Sequence, residues 1–79
     1  VLEARGRVMV EVNVGVDDLD AVIAALPCMR EPTVSRLRGE AGFAVRAAVP
    51  RRELSAVVPL VKAKGGTDII VSRPEQIVP

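Results

Sequence analysis

Apolar and polar residues alternate along residues 7–14. Val8, Val10, Val12 and Val14 fall on one side, and Met9, Glu11 and Asn13 on the other. Period-two alternation predicts a strand with one buried face. Gly15 ends it, and Asp17 or Asp18 is placed to cap a helix by accepting a hydrogen bond from a free backbone N–H. Leu19, Val22, Ile23 and Leu26 then recur at the i, i+3, i+4, i+7 spacing of an amphipathic helix, and Pro27 stops it.

The second half repeats the scheme. Residues 33–37 predict a short strand, and Arg38-Gly39-Glu40 with Ala41-Gly42 a hairpin turn. Residues 43–49 predict the next strand, with Phe43, Val45, Ala47 and Val49 toward the core and Ala44, Arg46 and Ala48 away from it. Pro50 suits a helix entry, where a missing N–H costs nothing. Leu54, Val57, Val58 and Val61 set out a second helix, in which Pro59 predicts a kink. Gly65-Gly66 predicts its C-terminal cap, residues 69–71 a last strand broken at Pro74, and residues 76–79 a short edge segment.

The order strand, helix, strand, strand, helix, strand is the ferredoxin-like βαββαβ pattern. The expected fold class is α+β: a four-stranded antiparallel sheet with strands one and three central and both helices on one face. The other face carries Glu11, Asn13, Arg46 and Ala48, with nothing in the chain to cover it. Residues 1–6 read as the remnant of a linker from an upstream domain, and residues 7–79 as the domain itself.

Composition narrows the function. A chain of 79 residues is one domain, small enough to be marginal alone. Its single aromatic residue, Phe43, leaves an aliphatic core and no sheet platform on which bases would stack. Eleven basic and ten acidic residues give a net charge of +1, without the basic stripe of a nucleic-acid binder. No apolar stretch reaches the ~20 residues of a membrane helix. Cys28 is the one cysteine, so no intrachain disulfide forms and a cytoplasmic setting is expected.

Catalytic chemistry is poorly supplied. Histidine is absent, which removes the commonest acid–base and metal residue. A lone Cys28 beyond a helix C-terminus lacks an activating partner. Gly39-x-x-Gly42 lies in a hairpin, and Gly65-Gly66 follows a helix instead of opening one, so neither is a phosphate loop. Asp17, Asp18 and Asp20 read better as an acidic helix start than as a metal cluster.

Ala25-Leu26-Pro27-Cys28-Met29-Arg30-Glu31-Pro32-Thr33-Val34-Ser35-Arg36-Leu37 combines a helix ending in Leu-Pro, a connector and a Pro-Thr-Val-Ser run. It resembles the C-terminal domain of the long-form ATP phosphoribosyltransferases. Phe43-Ala44-Val45-Arg46-Ala47-Ala48-Val49-Pro50 and Gly65-Gly66-Thr67-Asp68-Ile69-Ile70-Val71 are similar to two further blocks of that family, without gaps between them. The resemblance implies a regulatory domain in histidine biosynthesis that binds L-histidine as feedback inhibitor and helps build a homo-hexamer. It also implies an upstream catalytic domain, where the full-length enzyme is expected to use magnesium; no cofactor is expected in this segment. By position it implies effector contacts at Asn13, Met29, Thr33, Ala48 and Asp68, with Glu31 or Asp68 accepting from an ammonium group. Ser35 is a lesser candidate. Glu31, Asp68 and Pro59 depart from the family's usual residues at their positions. Two other readings stay open: a structural oligomerisation module that has lost its ligand, and a ferredoxin-like binder of another small metabolite.

Overall fold

A computed structural model of the chain describes residues 6–27, 32–40 and 42–75. The elements are β1 (Arg7–Val14), α1 (Leu19–Ala25), β2 (Thr33–Arg36), β3 (Phe43–Pro50), α2 (Leu54–Ala63) and β4 (Thr67–Ser72). Short 3₁₀ turns at Val16–Asp18, Arg38–Glu40 and Arg51–Glu53 join them. The sheet order is β2-β3-β1-β4, with every neighbouring pair antiparallel. This is the expected α+β ferredoxin-like arrangement, with β1 and β3 at the centre.

Burial follows the alternation. Val8, Val10, Val12 and Val14 are buried, as are Val45, Ala47 and Val49 of β3. They join Val22 and Leu26 from the α1 side and Val57 and Val61 from α2 in one core, so both helices pack on the same sheet face. Fully burying each such valine contributes roughly 1.5–3 kcal/mol. Phe43 is half-buried at the margin of this core, where the Arg36 guanidinium lies 5.7 Å from its ring centroid.

Local chemistry explains the helix ends. After α2, Gly66 N–H donates to Val61 C=O at 2.9 Å and Gly65 N–H to Lys62 C=O at 3.1 Å. With Gly65 at φ 108°, these bonds form a complete Schellman cap. Gly66 is also pressed against the core: a Cβ there would lie 2.6 Å from Val61 Cγ1 and 2.7 Å from Val12 Cγ2.

Several expectations need correction. Neither Asp17 nor Asp18 caps α1: no side-chain cap bond forms, and the turn Val16–Asp18 closes through Asp18 N–H to Gly15 C=O instead. Pro59 lies inside α2, which continues past it to Ala63. Both Pro59 and Ser55, whose carbonyl loses its N–H partner there, lie at exposed positions, which lowers the cost of the lost bond. β2 stops at Arg36, and its turn to β3 contains a 3₁₀ segment with Gly39 at φ 85°. β4 begins at Thr67, earlier than expected, because its first residues are held to Asn13 across an irregular register. Residues 76–79 lie outside the described residues.

Candidate functional site

The sheet face away from the helices is open, and the pairing register brings its polar residues together. Glu11 sits opposite Arg46 on one side and Ile70 on the other; Arg46 in turn sits opposite Thr33. Ser35 pairs with Ala44, and Ala44 with Asn13. The four strands thus contribute to one open depression of about 340 Å³, lined among others by Asn13, Thr33, Ser35, Arg46, Asp68 and Ile70.

One wall of the depression depends on a bulge. Between the pairs Glu11–Ile70 and Asn13–Thr67, β4 contains one more residue than β1. Asp68 takes up the mismatch at φ 52°, a left-handed conformation uncommon outside glycine, though Asp and Asn tolerate it best. Thr67 Oγ1 donates to Asn13 C=O at 3.3 Å and holds the start of β4 against β1. Asn13 Nδ2 donates to Asp68 Oδ2, also at 3.3 Å. A carboxylate only accepts, so the Asn13 amide nitrogen faces Asp68 and its Oδ1 stays available as an acceptor.

Charge is unevenly distributed in the depression. Glu11 Oε1 and Arg46 Nη1 lie 3.7 Å apart across β1 and β3 and largely neutralise one another. The Asp68 carboxylate has no cationic partner among the described residues. The face therefore presents one negative group beside a hydroxyl, an amide oxygen and the apolar Ile70, which is 56% exposed. This combination suits a small ligand with a cationic group and an apolar or ring portion. No group of three or more metal-ligating side chains forms among the described residues.

Of the residues singled out from sequence, Asn13, Thr33 and Asp68 line the same depression. Ala48 lies on the same face, opposite Met9, but outside the lining. Met29, Glu31 and Cys28 lie outside the described residues. Ile70 was missed as a site residue. Period-two alternation along β4 separates it from Ile69 and Val71, but only the register with Glu11 assigns it to the open face.

A family profile described as HisG, C-terminal domain matches residues 4–75. The chain is 44% identical over all of its length to an ATP phosphoribosyltransferase of Natronomonas pharaonis, covering 28% of that protein. It is 36% identical over 99% of its length to an ATP phosphoribosyltransferase of Pelotomaculum thermopropionicum, and 40% identical over 98% to one of Sulfurisphaera tokodaii, covering 27% of each. The chain thus spans little more than a quarter of the length of these curated relatives. A profile match over most of the chain, on a fold of the expected order, establishes that the chain belongs to the HisG C-terminal domain family.

Proposed function

We propose that this chain is the regulatory domain of an ATP phosphoribosyltransferase, the enzyme of the first step of histidine biosynthesis, and that it binds L-histidine as a feedback inhibitor on the open sheet face. The observation that carries the reading is the convergence of Asn13, Thr33 and Asp68 on one depression in a chain of this family. Asp68 accepts from the ligand ammonium, with the strengthening that charge gives such a bond. Asn13 holds Asp68 from one side and offers its Oδ1 to the ammonium or imidazole. Thr33 and nearby backbone N–H groups take the carboxylate, and Ile70 supports the ring.

The depression is open to solvent, so a neighbouring subunit is expected to close it. This ties the effector to assembly of a homo-hexamer, with magnesium and catalysis in the upstream domain of a cytoplasmic enzyme. Inhibition then requires that L-histidine bind two assembled states with different affinity, a coupling typically worth about 1–3 kcal/mol.

The test is calorimetric titration of L-histidine into the full-length, assembled protein, with light scattering on the same sample. Saturable binding that Thr33→Ala abolishes supports the sensor reading. An assembled protein that takes up no L-histidine contradicts it and leaves a structural module or another ligand.

A further inference from the structure

We propose that the outer groove between α1 and α2 is the docking surface for the polypeptide that precedes this segment in the full-length protein, an inference that rests on the regulatory-domain reading. The groove encloses about 220 Å³ and is lined mainly by apolar side chains, including Leu26, Pro27, Val57 and Leu60, with Glu53 as the only charged member of the lining among the described residues. Leu60 is 44% exposed, although it is the largest apolar side chain on the outer side of α2. An open sheet face explains nothing about this surface, which lies on the other side of the domain.

The position of the groove identifies the occupant. β1 starts at Arg7, which pairs with Pro50 at the end of β3. The turn Arg51–Glu53 follows at once and leads into α2, while α1 runs back from the far end of β1 and finishes near Leu26. The groove therefore opens at the end of the sheet where the chain enters through Gly6. The other end, at Val14, is about 22–24 Å away by strand length. In the relatives this segment makes up 27–28% of the protein, and the family is a C-terminal domain. The bulk of such a protein reaches the domain through this corner, next to the groove. Arg51 and Arg52 are exposed at the same corner. They specify the complement: an apolar anchor for the groove with acidic residues beside it.

Docking here would leave the open sheet face free for the effector and give the helices the task of transmitting its presence. The test uses the full-length protein. A photo-crosslinking residue at position 60 identifies what lies in the groove by peptide mass spectrometry. Ala56→Cys and Val16→Cys are compared for maleimide labelling at each position, since Val16 is 60% exposed at the opposite end.

The proposal expects cross-links to peptides upstream of Val1, and labelling of the Ala56→Cys thiol about tenfold or more slower than the Val16→Cys thiol, as for a contact held by at least 1.4 kcal/mol. Equal labelling rates, or cross-links only to a second copy of this segment, overturn it. L-histidine binding measured on the same preparations is read separately. A protein with a covered groove and no histidine binding keeps the docking surface and loses the sensor reading; binding with an uncovered groove does the reverse.

Discussion

The two faces of β1 are built from neighbouring residues and obey different rules. Val8, Val10, Val12 and Val14 are buried under the helices, where each substitution has to be accommodated by close-packed neighbours from three other elements. Met9, Glu11 and Asn13 lie on the other side of the same strand, only half-buried, and the last two line an open depression. The helix-side face stabilises the fold, and little in its chemistry distinguishes it from any other aliphatic core. The open face contributes little to stability, so its residues are free to be chosen for a ligand. A strained Asp68 in left-handed conformation belongs to the second set: folding does not require it, and glycine would adopt the backbone with less cost.

The sharpest break of this division comes from the core side. Val10, at 1% exposed, changed to Asp places an unpaired charge among valines. A domain of this size has a total stability on the order of 4–12 kcal/mol, and loss of several of these is expected to unfold it. Loss of the far-ultraviolet circular dichroism signal at 25 °C checks this. A smaller effect is expected from Gly66→Ala, whose Cβ meets Val61 Cγ1 and Val12 Cγ2. Overpacking of this kind costs about 1–3 kcal/mol, read as a lower denaturant midpoint with an unchanged slope.

On the open face the order of effects reverses between stability and binding. Asp68→Gly relieves the left-handed backbone but gives up the exposed Asn13 bond and adds unfolded-state freedom, so stability is expected to change by less than about 1 kcal/mol. L-histidine binding is expected to disappear. The smallest effect belongs to Glu11 and Arg46. Their side chains are 3.7 Å apart and largely exposed, so a double-mutant cycle of Glu11→Gln and Arg46→Gln should return a coupling of about 0–1 kcal/mol that falls with added salt.

The same contrast explains what could be read from sequence. The core face was legible because burial imposes a period on the chain: the valines of β1, the helical spacing of Val22 with Leu26 and Val57 with Val61, and the glycine pair after α2 each leave a local signal. Membership in the family was legible from the Pro-Thr-Val-Ser run and its companion blocks, which cover nearly the whole chain. The site was legible only in part. Asn13 could be assigned to the open face by alternation and Thr33 came from the family resemblance, but the contact between Asn13 and Asp68 spans 55 positions and exists because β4 gains a residue against β1. No local pattern encodes a register shift between distant strands. The failed cap at Asp18 has the opposite origin: a local rule applied, but a 3₁₀ turn runs directly into α1 there, so Asp18 has αR backbone angles instead of the extended ones a capping residue adopts.

The central claim is that the open face carries ligand recognition separately from folding. The most direct measurement is the melting temperature of the full-length, assembled protein and its Asp68→Gly variant, each with and without L-histidine at about 100 times the wild-type Kd. Ligand binding to the folded state alone should stabilise the wild type by about 2.7 kcal/mol. The account predicts that both proteins melt together without ligand and that only the wild type shifts upward with it. An equal upward shift in the variant, or a variant that melts far below the wild type before any ligand is added, would contradict it.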